Sequence, residues 1–282
     1  MQPSEPSRTA LMVARQRAAH QLLDHGSILN DPFAMKILGE DEKDVLQFAG
    51  AHPMASIGRL FTAARSRIAE VALSRAVERG VRQVVILGAG LDTFALRNSH
   101  DALETRVYEV DHPATQAWKR ERLAEAQIAL PPSLIFVPVD FERDDLRETL
   151  VAAGFQQDSP AFFTWLGVVP YLTEPAVWST LGFIASLPAG AHVVFDYSDP
   201  PDSLSPEMRL EHEKRAARVA ALGEAWVNYL EADQLRAKLT ALGFLEIEDL
   251  GPPQIASRYF PGRSTSPPDR GGHILRAATI VS

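Results

Sequence analysis

A short segment near residue 88 constrains the fold of this chain more than any other. The run Val84-Val85-Ile86-Leu87 is apolar and rich in β-branched residues, as is typical of a strand buried on both faces of a parallel sheet. The run ends in Gly88-Ala89-Gly90, where glycine lets the backbone turn tightly and approach a ligand closely. The segment therefore predicts the first strand and first turn of a nucleotide-binding α/β sheet.

This turn differs from a dinucleotide-binding turn in two ways. No third glycine follows at Thr93 or Phe94, which argues against the G-x-G-x-x-G fingerprint of a nicotinamide-dependent oxidoreductase. Asp92 also places a carboxylate where a pyrophosphate would be repelled. The turn favours a cationic or zwitterionic adenosyl ligand, and S-adenosylmethionine is the candidate. Asp92 is interpreted either as a neighbour of that ligand or as a helix cap.

Strands and helices alternate from residue 81 onward. The predicted strands are 84–87, 106–110, 134–139, 161–164, 192–197, 245–250 and 273–281. The predicted helices between them are 115–129, 143–153, 174–186 and 231–242. The segment 251–272, rich in Pro and Gly, is predicted to join the last two strands without a helix. This order predicts an α/β fold with a doubly wound, mostly parallel seven-stranded sheet and one antiparallel strand, as in class I methyltransferases.

Two further segments accompany the sheet domain, which is predicted to span residues 81–282. Residues 1–80 are predicted to form a helical N-terminal cap region, with one helix starting at Asn30. Residues 198–229 form an insertion, largely helical, above the carboxyl ends of the strands. We interpret the insertion either as a lid over the ligand crevice or as a surface helix.

Composition narrows the classes of function. The net charge of −8 gives no support for binding nucleic acid or an anionic membrane surface. The chain has no cysteine, which excludes disulfides, thiolate metal ligands and a cysteine nucleophile, and no metal site is predicted. No signal peptide and no run of about 20 apolar residues is found. We therefore expect a cytoplasmic protein that acts on a small molecule.

The second strand supplies a candidate ribose ligand. Asp111 ends this strand 21 residues beyond Gly90, the spacing at which an acidic residue holds a ribose. Glu109 lies on the same side of the strand by alternation, and either shares this task or faces the first turn. The alternative is that Asp111 is a surface carboxylate.

The third strand and a preceding helix supply three more candidates. Asp140 is placed to accept a hydrogen bond from the adenine amino group, and Phe141 to lie on the ring face. The alternative for Asp140 is a helix cap. Arg65 suits the ligand's carboxylate as a bidentate partner, or else is a solvated helical arginine.

Several segments together resemble a known family. They are Leu87-Gly-Ala-Gly-Leu-Asp-Thr-Phe-Ala-Leu-Arg97, Tyr108-Glu-Val-Asp-His-Pro113, Leu166-Gly-Val-Val-Pro-Tyr-Leu-Thr173, Asn30-Asp-Pro-Phe-Ala34 and Arg65-Ser-Arg67. Through them the chain resembles the leucine carboxyl methyltransferase-like family of S-adenosylmethionine-dependent methyltransferases, in its bacterial O-methyltransferase branch.

The resemblance implies a set of cofactor-binding residues. It assigns the methionine carboxylate to Arg65, with Arg17 as a further basic residue. It assigns the methionine backbone to the turn Gly88-Ala89-Gly90, the ribose to Asp111 and the adenine to Asp140 with Phe141. Asp92 and Leu166 complete the predicted set. At Leu166 the family often has Glu, so this chain departs from the pattern there, which suggests a different acceptor pocket.

The predicted reaction is an in-line methyl transfer to a carboxylate or hydroxyl of a small molecule. Tyr171 and Tyr197, at strand ends, are candidates for the acceptor pocket, and Trp165 lies either against the acceptor or in the core. A hydroxyl acceptor would profit from a base. The candidates are His212, His20, Asp196 and Tyr197, and none is singled out. A non-catalytic protein that binds S-adenosylmethionine or S-adenosylhomocysteine remains the alternative.

Overall fold

A seven-stranded sheet forms the centre of the molecule. The computed structural model describes residues 7–51, 55–260 and 268–280. The strands are β1 (Gln83–Leu87), β2 (Arg106–Asp111), β3 (Leu134–Pro138), β4 (Ala161–Trp165), β5 (Ala191–Ser198), β6 (Glu246–Leu250) and β7 (Gly272–Ala278). Their order across the sheet is β3-β2-β1-β4-β5-β7-β6. Among these strands, β7 runs antiparallel to β5 and β6, and all other neighbouring strands are parallel. This order confirms the predicted mostly parallel class I methyltransferase sheet.

The two faces of the sheet carry separate hydrophobic clusters because side chains alternate along each strand. Residues such as Val85, Phe163 and Phe195 belong to the larger cluster, whereas Val84 and Phe162 belong to the cluster on the opposite face. All five residues of β1 are buried, as a central parallel strand requires. The carboxyl ends of β1, β2, β4 and β5 therefore meet at one edge of the sheet, where ligands of such folds bind.

Helices cover both faces and add an N-terminal region. They are α1 (Arg8–Asp24), α2 (Ala34–Leu38), α3 (Glu42–Gly50), α4 (Ala55–Glu78), α5 (Pro113–Glu125), α6 (Leu146–Ala152), α7 (Glu174–Ala185), α8 (Pro206–Ala221), α9 (Ala232–Leu242) and α10 (Pro252–Tyr259). Among the described residues, none of these helices combines the length and apolar character that crossing a membrane requires.

Two of the sequence-based expectations for helices are wrong. The segment between β6 and β7 contains α10, because Pro252 and Pro253 occupy the first positions of a helix, which tolerate proline, and Ile255 packs into the core. The helix expected from Asn30 begins at Ala34 instead. There the Asp31 carboxylate accepts from the Phe33 amide in a turn rather than capping a helix. Residues 52–53, 261–267 and 281, which also entered these predictions, lie outside the described residues.

Candidate functional site

The glycine turn after β1 is held against two other parts of the chain. Gly88 and Gly90 have φ angles of +67° and +49°, which other residues rarely adopt. A Cβ atom at Gly88 would lie 2.3 Å from the Val168 side chain, and one at Gly90 would lie 3.0 Å from Cβ of Ala10 in α1. The amides of Gly88 and Ala89 both donate to the Val110 carbonyl. The turn therefore needs glycine for its backbone geometry and for the close approach of its neighbours.

Asp111 lies directly beside this turn. Its carboxylate accepts hydrogen bonds from the backbone amides of Gly90 and His112. Burial raises the pKa of the carboxyl group above its usual value, although both amides oppose the shift. Asp111 thus joins the end of β2 to the turn after β1, which is where the sequence predicts the ribose ligand.

A group of charged side chains lies beside the turn and contacts it. Arg17 of α1 donates to the Leu91 carbonyl, and its guanidinium lies 3.4 Å from Asp92 and 3.5 Å from Asp31. Arg97 pairs with Glu70 at 2.6 Å and lies 3.7 Å from Asp31. We call Arg17, Asp31, Glu70, Asp92 and Arg97 the charge cluster. Because Arg17 contacts two carboxylates here, its main contacts stabilise the turn.

Asp92 forms a turn just before the short helix at Phe94–Arg97, whose N-cap residue is Thr93. One carboxylate oxygen of Asp92 accepts from the Phe94 amide at 2.7 Å, the pattern of an Asx turn. Burial alone would raise the pKa of Asp92, but the charges of Arg17, Lys119 and Arg97 outweigh burial and lower it. Asp92 is therefore ionised and held in a turn, and the position of the helix cap that was its alternative is taken by Thr93.

Glu109 faces the interior and pairs with Lys119 of α5. Both side chains are buried, and the ammonium group donates to one carboxylate oxygen. The second oxygen, Oε1, is buried and has no hydrogen-bond partner among the described residues. Burial raises the pKa of Glu109. Glu109 therefore takes part in a buried ion pair beneath the turn.

Arg65 lies at the carboxyl ends of β4 and β5. Its Nη1 donates to Asp196 Oδ2 at 2.8 Å, and the other oxygen of Asp196 accepts from the Gly167 amide. A Cβ atom at Gly167 would lie 2.7 Å from Arg65 Nη2, so glycine makes room for the guanidinium. Arg65 Nε is buried and has no hydrogen-bond partner within the described residues. This arginine is therefore oriented by Asp196 and retains donors for an anionic group.

The remaining predicted cofactor residues lie farther out along the same edge. Asp140 forms a turn by accepting from the Glu142 amide at 3.1 Å, and the cap of α6 is Asp145 instead. Phe141 packs at the margin of the larger hydrophobic cluster, and Leu166 packs against the other one. The adenine roles of Asp140 and Phe141 remain predictions.

Tyr171 connects three parts of the chain. Trp226 of the insertion, Thr9 of α1 and Arg65 all lie close enough to its hydroxyl to lower the pKa of Tyr171. Burial nonetheless raises the pKa of Tyr171. The amide of Val227 donates to the Pro170 carbonyl at 2.8 Å, which fixes the insertion beside Tyr171.

Glu224 of the insertion caps the start of α1. Its carboxylate accepts from the Ser7 hydroxyl at 2.9 Å, from the Arg8 amide at 2.6 Å and from the Thr9 hydroxyl. A carboxylate is stabilised at a helix N-terminus by the unpaired amides and the helix dipole. The insertion is thereby joined to the N-terminal region above the carboxyl edge of the sheet.

Arg215 of α8 is an exposed cation near Tyr171. Its guanidinium lies 5.7 Å from the centre of the Trp226 ring, and Tyr171 is close enough to affect its ionisation. The side chain is exposed to solvent, yet burial by surrounding atoms lowers its pKa, and Arg218 adds to this effect. Within the described residues Arg215 forms no ion pair at contact distance, although the charge of Glu211 on the same helix acts to raise its pKa.

The candidate bases are all engaged in other contacts. His212 Nε2 lies 3.0 Å from the Tyr229 hydroxyl, and burial lowers the pKa of His212. His20 is fully buried in α1, where Nδ1 contacts Asp24 and Nε2 accepts two backbone amides. Asp196 binds Arg65.

Tyr197 and Trp165 belong to the hydrophobic cluster on the other face of the sheet from Asp196. The Tyr197 hydroxyl donates to Asp249 at 2.6 Å, and burial raises its pKa. The Tyr197 hydroxyl is thus engaged by Asp249, and Trp165 takes the core position that was its alternative.

Sequence reasoning missed the side chains that the insertion contributes. Arg215, Glu224 and Trp226 lie in a segment of mixed charge in which no motif distinguishes one arginine from another. From the sequence, Asp31 is expected only at the start of a helix. Its place directly before a proline, in a segment that resembles the family, could have indicated a structural role for it.

The comparisons with known proteins agree with this geometry. The family model for leucine carboxyl methyltransferase matches residues 10–185. The inferred S-adenosyl-L-methionine-dependent methyltransferase YktD of Bacillus subtilis strain 168 is 32% identical over 93% of this chain and 94% of its own length. A relative of the same description from Mycobacterium avium strain 104 is 32% identical over 77% of this chain and 73% of its own.

Among solved structures, a DUF574 family protein from Streptomyces avermitilis aligns over 97% of this chain and 98% of its own, with a TM-score of 0.57 and 16% identity. At that identity the likeness supports the fold alone. The family match covers more than half of the chain and includes the glycine turn, Asp111 and Arg65. The chain therefore belongs to the leucine carboxyl methyltransferase family and is an S-adenosylmethionine-dependent methyltransferase.

Proposed function

We propose that this methyltransferase methylates a carboxylate oxygen of a small molecule. Arg215 carries the proposal, because it is an accessible guanidinium without an ion pair among the described residues, close to Tyr171. A carboxylate acceptor needs a cation or hydrogen-bond donors to hold it, and arginine presents a planar pair of donors that matches it.

The residues at the carboxyl edge of the sheet fit the cofactor. The Gly88–Gly90 turn provides close backbone approach, Asp111 suits the ribose hydroxyls, and Arg65 retains unpaired donors for the methionine carboxylate. When bound, the cofactor supplies a methyl group on a positively charged sulfur. The chain contributes binding and orientation, which are large terms when two reactants must meet in line.

The state of the candidate bases favours a carboxylate over a hydroxyl acceptor. A carboxylate is ionised near neutral pH and has no proton to lose, whereas a hydroxyl profits from a base. Burial raises the pKa of Tyr171, and His212 has its Nε2 engaged by Tyr229. The groups near Tyr171 that can donate a hydrogen bond to an acceptor are the Arg215 guanidinium and Asn228 Nδ2. The latter is buried and has no partner within the described residues.

The experiment is a transfer assay with S-adenosylmethionine labelled in the methyl group. The acceptors are matched pairs of small carboxylic acids and the corresponding alcohols or phenols. Methyl esters release methanol in mild base and methyl ethers do not, so the chemical class of the product is read directly. We expect label in base-labile product from acids alone.

Label in base-stable product would overturn the carboxylate assignment. Binding of S-adenosylhomocysteine, measured by calorimetry in parallel, shows whether each preparation is competent to bind cofactor. Binding without transfer to any acid or alcohol in an extract of small metabolites would support the non-catalytic alternative instead.

A further inference from the structure

A cavity of about 250 Å³ lies at the edge of the sheet opposite to the glycine turn. Its floor is formed by side chains on one face of neighbouring strands, because Phe162, His192, Ala278 and Glu246 are consecutive register partners across β4, β5, β7 and β6. Its wall is the last part of α4. Nothing in the proposed reaction uses this cavity.

The charged residues of the cavity lining are three arginines and two glutamates, Glu246 and Glu248. Arg75 lies in the last turn of α4, Arg79 follows directly after the end of that helix, and Arg276 faces the cavity from β7. Arg276 pairs with Glu248 at 3.0 Å, but Glu248 also accepts from Arg258 at 3.0 Å, so one carboxylate is shared by two guanidinium groups. With Glu246 counted as well, the lining carries three guanidinium groups against two carboxylates, a small excess of positive charge.

Arg75 and Arg79 retain their donors. Within residues 7–51, 55–260 and 268–280 neither arginine forms an ion pair, although Glu246 also lines the cavity. Two guanidinium groups at the end of one helix, each with several N–H donors, suit the oxygens of a single phosphate or carboxylate group.

His192 adds a buried polar atom to the same cavity. The residue is 8% exposed and its ring stacks on Phe162 with 6.1 Å between the ring centres. Its Nε2 atom is buried and has no hydrogen-bond partner among the described residues. An unpaired buried polar group is unfavourable unless a ligand or water satisfies it. Burial lowers the pKa of His192, and Arg79 and Arg276 contribute to this effect.

We propose that this cavity is a second ligand site, which binds the phosphate group of a small molecule between Arg75 and Arg79 with the His192 ring at its base. The neutral imidazole carries either a donor or an acceptor at Nε2, so it can bond a phosphate oxygen or its hydroxyl. The cavity accommodates a phosphate with a small attached group, and a larger ligand would extend into solvent past α4.

The test uses the full chain with inorganic phosphate and pyrophosphate as probes, at constant ionic strength adjusted with potassium chloride. Binding is followed by calorimetry and by the NMR resonances of the His192 ring. We expect saturable binding and a shift of the His192 signals. Replacing both arginines, Arg75→Gln with Arg79→Gln, should weaken binding at least about tenfold, because two charge-assisted contacts are lost.

Arg143→Gln is the matched control, since Arg143 is largely exposed and lies after β3, away from the cavity. It should bind phosphate as the unaltered chain does. Binding of S-adenosylhomocysteine should be unchanged in all variants, which verifies their fold without relying on methyl transfer. No saturable binding of either probe, or equal weakening in Arg143→Gln and the double variant, would overturn the proposal.

Discussion

The two halves of the carboxyl edge differ in how their charges are arranged. The cofactor half comprises the turn at residues 88–92, Asp111 and the charge cluster, where each carboxylate contacts a cation or backbone amide. The acceptor half comprises Tyr171 and residues 206–229, where Arg215 and Asn228 Nδ2 have donors without partners among the described residues. We propose that the first half is arranged in advance to bind the cofactor and that the second half binds the methyl acceptor.

This difference predicts that variants separate into two classes. Changes in the cofactor half should cost stability or cofactor affinity, because they disturb paired buried charges. Changes in the acceptor half should leave both largely intact and alter the acceptor instead.

The largest effect is expected from Asp31→Ala. Asp31 is 1% exposed, accepts from Thr93 at 2.6 Å and lies between Arg17 and Arg97. Its loss leaves two buried guanidinium groups short of a partner and should lower the free energy of unfolding by about 3–5 kcal/mol. Urea unfolding measures this. Asp41→Ala, at an exposed position in the same region, is the control, and equal stabilities of the two variants would refute the role of the cluster.

Asp111→Ala should have the next largest effect. It removes the acceptor of two backbone amides and the predicted ribose ligand, so the affinity for S-adenosylhomocysteine should fall by about 1–3 kcal/mol. Calorimetry gives this value, with the exposed Asp158→Ala as the comparison. Unchanged affinity in Asp111→Ala would reject the ribose assignment.

Glu224→Gln tests the connection between the acceptor half and α1. The variant keeps the shape but loses the charge at the helix N-terminus, so we expect a cost of about 0.5–1 kcal/mol. The effect should be local, and the amides of Val227 and Asn228, which bond Pro170, should exchange hydrogen faster. Glu207→Gln at the exposed start of α8 is the control. Unaltered exchange at both amides would show that Glu224 does not hold the insertion.

A smaller and pH-dependent effect is expected at the start of the insertion. His273 lies 3.1 Å from both Asp199 and Asp249. Burial lowers the pKa of His273, but the two carboxylates outweigh it and the pKa is raised. Its stabilisation is therefore complete below about pH 6.5, the unfolded value, and is lost as pH rises through the folded pKa.

The measurement for His273 is the free energy of unfolding of the unaltered chain and of His273→Gln across this range. The difference between the two should be largest at the acidic end and should shrink as pH rises. A difference that grows with pH would contradict the assignment of a charged His273 between two carboxylates.

The strand and turn of the cofactor half could be predicted from the sequence because their signals are local, whereas the pairing of Asp31 and Glu70 with the two arginines of the charge cluster could not. The strand before Gly88, the spacing to Asp111 and the reversed last strand follow from periodicity and chain order. The acceptor half depends on contacts between residues more than 200 positions apart, such as Thr9 with Glu224. No periodicity reports such a contact, and an arginine in a helix of mixed charge has no signal of its own.

The missed helix α10 and the late start of α2 have a similar cause. Pro252 and Pro253 predict a loop by local preference, but proline is also accepted at the first positions of a helix, and the burial of Ile255 favours the helix here. At Asn30, the side chain of Asp31 was needed by the charge cluster, and tertiary pairing prevailed over local capping preference.

Arg215→Gln tests the separation of the two halves most directly, with Arg218→Gln on the same helix as its control. With an acceptor acid identified by the labelled-methyl assay, the KM of Arg215→Gln for that acid should rise about tenfold or more. Its affinity for S-adenosylhomocysteine should equal that of the unaltered chain and of Arg218→Gln. An unchanged KM for the acid, or a parallel loss of cofactor affinity, would contradict the division into a cofactor half and an acceptor half.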